Sequence, residues 1–110
     1  MSEQTTTIAA NADCVTLINV FTVKPQDQDR LVKLLVDATD TVMRRIPGFI
    51  SANIHKSADG VRVANYAQWR TAQDFEAMLK NPAAQKHMAP IKDFATYDAH
   101  VYAAVDVCHV

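Results

Sequence analysis

The sequence predicts an α+β fold in which an antiparallel sheet carries its helices on one face. Four segments are rich in β-branched and aromatic residues and are predicted to be strands. The segment between the first two strands and the segment between the last two space their apolar residues as helices do. A short turn signal joins the second and third strands. The resulting β-α-β-β-α-β order is the ferredoxin-like split arrangement, which places the last strand beside the first.

The first strand is predicted over residues 15–23, where valine, threonine and isoleucine predominate. Side chains alternate between the two faces of a strand, so the odd-numbered and even-numbered positions form separate sets. Both sets are largely apolar, and we therefore expect both faces of this strand to be covered.

The first helix opens at Lys24-Pro25, since proline is tolerated in a first turn, and it closes at Arg44 and Arg45. Pro47-Gly48 then stops it. One buried stripe with helical spacing is formed by Leu31, Leu34, Leu35, Ala38, Val42 and Ile46.

The second and third strands are predicted over residues 49–55 and 61–69, joined by a turn at 57–60 in which Gly60 supplies a positive φ. On the second strand, alternation puts Phe49, Ser51, Asn53 and His55 on one face. On the third strand, it puts Val61, Val63, Asn65, Ala67 and Trp69 on one face.

The remaining elements are two short helices and a last strand. Thr71 caps a helix whose apolar side is Phe75, Met78 and Leu79. Asn81-Pro82 interrupts it, residues 83–91 resume as helix, and residues 99–107 form the last strand. This arrangement would bring Cys14 and Cys108 close together at one end of the sheet.

The chain of 110 residues is long enough for one domain, predicted over residues 13–110. Residues 1–12 are small and polar and are predicted to be a tail, or an arm over a partner subunit. Helices can cover only one face of the sheet, and the other face is also apolar. We therefore expect a homodimer packed sheet to sheet, burying on the order of 2,000 Å².

Composition excludes several classes of function. With 11 basic and 12 acidic side chains, the net charge of −1 gives no basic surplus for nucleic acid. Two glycines are too few for a phosphate-binding loop, and no apolar run reaches the ~20 residues of a membrane span. The lack of a signal segment and of paired cysteines predicts a cytoplasmic protein with reduced thiols. No clustered carboxylates lie near the four histidines in sequence, so no metal site is expected.

Polar residues in apolar strands indicate where a ligand would bind. Asn65 lies between Val63 and Ala67, and Trp69 shares its face. An amide and an indole on one apolar wall are typical of a small-molecule cavity. Asn19 interrupts the first strand in the same way. His55 ends the second strand and is the nearby imidazole, a common acid–base group, although a solvent-facing place by the hairpin turn is an equal alternative for it.

Several of these residues resemble a known family. They are the run from Ile46-Pro47-Gly48 to Ala52, then His55, Asp59-Gly60 and above all Asn65-Tyr66-Ala67-Gln68-Trp69. The sequence resembles the antibiotic biosynthesis monooxygenase family over about residues 14 to 107, in the branch of an actinorhodin-pathway enzyme.

The resemblance implies a dimeric α+β barrel that oxidises a polycyclic phenol, anthrone or hydroquinone to a quinone with O₂, using no cofactor or metal. It implies that Asn65 and Trp69 act in a cavity between sheet and helices, with His55 as a third catalytic residue. The substrate-binding residues would be Asn19, Phe75, Met78 and His87.

The chain also departs from that branch of the family. Phe75 stands where the actinorhodin-pathway enzyme has a tyrosine, and a cationic residue has no clear counterpart, although Lys86 and His87 are nearby. These departures leave open a non-catalytic ligand-binding or stress-response barrel. Haem binding and degradation is a further alternative. Asn19 fits one position of the haem-degrading relatives, whereas Met78 replaces a tryptophan and His87 is displaced by one residue.

Overall fold

The computed structural model describes residues 4–110 and confirms the predicted order of elements. The strands are β1 (Val15–Val23), β2 (Phe49–Lys56), β3 (Arg62–Trp69) and β4 (Ala95–Tyr102). The α-helices are α1 (Gln28–Thr41), α2 (Ala72–Leu79) and α3 (Pro82–Met88). Short 3-10 segments lie at Pro25–Asp27, Met43–Arg45 and Ala89–Asp93.

The four strands form one antiparallel sheet in the order β2-β3-β1-β4. The last strand lies beside the first, and the helices pack on one face, which confirms the ferredoxin-like arrangement. Asn19 on β1 lies directly opposite Asn65 on β3 and opposite Ala99 on β4. The middle of β1 is therefore the centre of the sheet.

The predicted first helix is real but shorter than its sequence signals. Leu31, Leu35 and Ala38 are buried against the sheet, as their spacing requires. Both ends are 3-10 segments, and Val42 leaves helical geometry with φ −127°. The arginines at 44 and 45 therefore end a 3-10 turn rather than the α-helix.

A β-bulge in β2 corrects the predicted faces of this strand. Phe49 lies opposite Trp69, whereas Ser51 lies opposite Gln68, so Ile50 is an extra residue in the ladder. Phe49 therefore shares the helix-covered face with Ala52. Ser51, Asn53 and His55 lie on the opposite face. Strict alternation would have placed them on the same face as Phe49.

The last strand begins four residues earlier than predicted and ends at Tyr102 rather than at residue 107. Its open face carries Thr96, Asp98 and His100, and these polar residues concealed the alternation of an edge strand. Since Thr16 pairs with Tyr102, the register would bring residue 104 beside Cys14. Cys108 lies six residues beyond the strand, so the ladder does not pair it with Cys14, and both cysteines are free thiols.

The N-terminal segment, as far as it is described, lies on the open face of its own sheet. The Thr6 hydroxyl donates to Oδ1 of Asn53 at 2.5 Å, and Nε2 of Gln68 donates to the Thr7 carbonyl at 2.9 Å. The first three residues of the predicted arm lie outside the described residues. Within residues 4–110, no helix is both long enough and apolar enough to cross a bilayer.

We predict that Gly48→Ala destabilises the fold by about 2 kcal/mol or more, because two constraints act at this residue. Gly48 has φ +88°, and a Cβ added there would lie 2.3 Å from the Asp74 carboxyl group. Urea unfolding of the variant measures the loss.

Gly60→Ala is the matched control. Gly60 has φ +84°, but its added Cβ would lie 3.7 Å from the nearest atom, in Pro25, which is ordinary contact. This variant shares the backbone strain without the clash, so we expect a smaller loss of about 1 kcal/mol. Equal losses in the two variants would show that the approach of Asp74 to Gly48 contributes nothing.

Candidate active site

A cavity of about 480 Å³ lies between the sheet and the helices. This volume is within the range of sites that bind drug-sized molecules. The cavity lies between two buried apolar clusters, one around Phe21, Leu35 and Ile91 and the other around Trp69, Met78 and Ala84. Its wall is mainly apolar, so the few polar side chains in it stand out.

Two asparagines form a polar pair on the sheet wall of the cavity. Asn19 and Asn65 are register partners on adjacent strands, and both side chains line the cavity. Oδ1 of each is buried and has no hydrogen-bond partner among the described residues. A buried polar atom without a partner costs about 1–3 kcal/mol, so the fold bears this cost at two adjacent positions. Such a pair is suited to receive a polar group of a ligand.

Trp69 lies four residues after Asn65 on the same face of β3 and lines the same cavity. The indole is 2% exposed. Phe49 meets it edge to face with ring centroids 5.5 Å apart, and Phe75 lies against it at 6.4 Å. Aromatic neighbours from β2 and α2 thus fix the ring of Trp69 in place.

Phe75 and Met78 reach the cavity from α2, which begins where the sequence predicts. The Thr71 hydroxyl accepts a hydrogen bond from the Asp74 amide at 3.0 Å and caps the helix. The two side chains lie three residues apart and therefore share one face of the helix. Both predicted positions lie in the cavity wall together with Asn19, Asn65 and Trp69.

The two predicted histidines are not part of this cavity wall. His55 is exposed, lies opposite Ala64, and is on the face of the sheet turned away from the helices. Its expected place beside Asn65 is therefore corrected, because adjacent register positions alternate between faces. His87 on α3 is half-buried, but the side chains of α3 in the wall are Ala84, Gln85 and Met88.

Sequence reasoning missed four polar residues that line the cavity, namely Thr39 on α1, Gln85 on α3, Lys92 and Tyr97. Lys92 lies in the 3-10 segment before β4, and Tyr97 lies on β4 itself. The misplaced start of the last strand concealed Tyr97. Its alternation with Ala95 and Ala99 on the face that pairs with Phe21 was the signal that could have found it.

The site offers no assembled metal centre. Among residues 4–110, no three side chains of histidine, cysteine, aspartate or glutamate are grouped as metal ligands. The cavity wall likewise includes no imidazole or carboxylate side chain from the described residues. Its polar chemistry comes from amides, an indole, a phenol, a hydroxyl and one ammonium group.

Comparison with known proteins gives consistent results. The family model of the antibiotic biosynthesis monooxygenases matches residues 14–90. The tetracenomycin-F1 monooxygenase of Streptomyces glaucescens is 48% identical over 81 residues, which is 74% of this chain and 72% of that protein.

Solved structures agree with the fold. The monooxygenase ActVA-Orf6 of Streptomyces coelicolor, in complex with nanaomycin D, is 25% identical with a TM-score of 0.79. That match covers 87% of this chain and 91% of the other. SnoaB of Streptomyces nogalater, a cofactor-independent oxygenase, is 23% identical with a TM-score of 0.76, covering 87% and 97% of the two chains.

The family model covers more than half of the chain, and a curated relative shares nearly half of the aligned residues over most of its own length. The chain therefore belongs to the antibiotic biosynthesis monooxygenase family and is an oxidoreductase.

Proposed function

We propose that this protein is a cofactor-independent monooxygenase that oxidises a polycyclic phenol, anthrone or hydroquinone to a quinone with O₂. The observation that carries the proposal is the pair of buried, unpartnered amide oxygens of Asn19 and Asn65 beside the indole of Trp69. The names of the similar proteins support it. One is a tetracenomycin-F1 monooxygenase, one was solved with nanaomycin D, and one is described as cofactor-independent.

The substrate would enter the apolar space and place its oxygen at the amide pair. An asparagine side chain accepts through Oδ1 and donates through Nδ2, so the pair can bind either a hydroxyl group or a developing oxyanion. Trp69, Phe75 and Met78 provide flat and adaptable apolar surface for fused rings. The exclusion of water strengthens each of these polar contacts.

The reaction draws its electrons from the substrate. On an anthrone, the acidic CH₂ carbon loses a proton to solvent, the resulting anion passes one electron to O₂, and the radical and superoxide join through a new C–O bond. The peroxide takes up a proton. Loss of the second ring proton with cleavage of the O–O bond then releases water and leaves the quinone carbonyl. In this balance one oxygen atom enters the product and the other becomes water.

The ionisable groups of the cavity wall bear on how the substrate loses its proton. Among the described residues, these groups are Lys92 and Tyr97. Neither is a carboxylate or an imidazole of the kind that usually accepts a proton near neutrality. The protein therefore activates its substrate by stabilising the anion, and water takes the proton. Phe75, which has no hydroxyl, is compatible with this role because it contributes only ring surface.

We also propose that the protein acts as a homodimer joined through the open faces of its two sheets. Ile18 and Val20 on that face are only half-buried, and Tyr102 is 47% exposed. A second copy would cover these apolar side chains.

Aerobic incubation with an anthrone or hydroquinone panel tests the reaction. We expect metal-free protein to form quinone faster than buffer does, and we expect the quinone formed from an anthrone to carry one labelled oxygen atom from ¹⁸O₂. Absorbance and mass spectrometry measure both. If folded protein binds the ring compounds but gives no acceleration with any of them, a non-catalytic binding barrel is the correct function.

We predict that Asn65→Val slows quinone formation about 100-fold while leaving the free energy of unfolding unchanged or raising it by about 1 kcal/mol. The substitution removes a buried unpartnered oxygen and adds a β-branched residue to a strand. Steady-state kinetics and urea unfolding measure the two effects.

His55→Ala is the control, since His55 is exposed on the opposite face of the sheet. We expect its rate to stay within about twofold of the unmodified protein, because a surface substitution of this kind perturbs the fold little. A large loss of rate with His55→Ala, or a destabilised Asn65→Val, would contradict the assigned roles.

A further inference from the structure

The cavity wall is buried over the centre of the sheet and includes exposed residues on β4 and on the segment before it. Tyr97 contributes to the wall although it is 50% exposed, and Lys92 contributes to the wall although it is also exposed. Residues that both line a cavity and contact solvent lie at its rim. The exposed wall residues are Leu79, Gln85, Ala89, Lys92, Tyr97 and Ala99. The side-chain amide of Gln85 already donates to the Leu79 carbonyl, and we use the term rim for the remaining two polar residues, Lys92 and Tyr97.

The ring of Tyr97 is held from beneath. Tyr97 lies opposite Phe21 across the β1–β4 ladder, and the two ring centroids are 5.9 Å apart. Phe21 is fully buried, so it provides a rigid support for the phenol. The hydroxyl of Tyr97 makes no hydrogen bond to another described residue.

Lys92 supplies the only charge among the described residues of the cavity wall. None of the ion pairs within residues 4–110 involves it. An ammonium group at the edge of an apolar cavity favours a negatively charged group of the ligand over a neutral one.

The distance between the rim and the amide pair is comparable with the length of a fused-ring molecule. Asn65 and Tyr97 are separated by two strand spacings and by two residues along the strand direction. Strands about 4.8 Å apart with a rise of about 3.4 Å per residue place the two Cα atoms roughly 12 Å apart. That separation is comparable with the length of a fused three-ring system.

We propose that the rim is a second polar subsite, in which Lys92 and Tyr97 bind an acidic substituent of the substrate while the amide pair holds its reacting oxygen. The inference rests on the proposed function and narrows the substrate class. The ligand is a fused-ring compound with a carboxylate or an ionised phenol at the end remote from the reacting oxygen. Tyr97 and Lys92 are positioning residues that set the depth of the ring in the cavity.

Binding of stable quinones tests the subsite without turnover. Trp69 is the only tryptophan of the chain and lines the cavity, so quenching of its fluorescence reports occupancy. The probes are 9,10-anthraquinone-2-carboxylate and the neutral 9,10-anthraquinone-2-carboxamide, which have the same rings. We expect the carboxylate to bind more tightly, with the preference falling as salt rises.

We expect Lys92→Gln to weaken carboxylate binding about threefold and to leave carboxamide binding unchanged, as an exposed ion pair contributes modestly. Lys86→Gln is the control, because Lys86 is exposed on α3 and does not line the cavity. Tyr97→Phe should weaken both probes about threefold by removing one hydrogen bond. Its control is Tyr102→Phe, since Tyr102 lies on the same strand but faces the other side of the sheet, and the substitution keeps the apolar ring that the proposed dimer contact uses.

The proposal is overturned if the carboxylate is not preferred, or if Lys92→Gln and Lys86→Gln affect the two probes alike. It is also overturned if Tyr97→Phe binds both probes as the unmodified protein does. These results are independent of the oxygenase test. A protein that binds the carboxylate through the rim but forms no quinone retains the subsite and loses the reaction.

Discussion

The antiparallel pairing of β1 with β3 is the constraint on which the site depends. It sets Asn19 opposite Asn65 at the centre of the sheet, where both side chains must face the helices. A shift of β1 by one residue in that register would turn Asn19 to the open face and place Ile18 or Val20 beside Asn65 instead. The two short helices and α1 then only have to close a volume around a polar pair that the ladder has already assembled.

The fold and the sheet wall of the site were predictable because their signals are local and periodic. The stripe of α1 and the alternation in β3 place Leu31, Leu35, Asn65 and Trp69 without any tertiary information. The faces of β2 were not predictable. A bulge depends on how the two strands pair, and the residues Phe49-Ile50-Ser51 contain no local signal that predicts an extra residue.

The rim was missed for a related reason. An edge strand has one neighbour and a half-exposed surface, so its apolar alternation is weak, and the sequence of β4 favours a later start than the one observed. Lys92 precedes that strand in a 3-10 segment with no periodic pattern of its own. His55 was assigned to the site from its place at the end of the second strand and from the resemblance, and only the register across β2 and β3 could show which face it occupies.

The bulge at Ile50 has a consequence for aligning this chain with its relatives. Because one additional residue inverts the inward and outward phase of a strand, an ungapped alignment across this point can equate a side chain under the helices with one on the outer surface. A one-residue gap next to Phe49 in such an alignment therefore marks a change in the sheet face that the side chains occupy. It does not mark a difference in loop length. The residues before and after the bulge must therefore be aligned separately, and the pairing of β2 with β3 gives the register for each side.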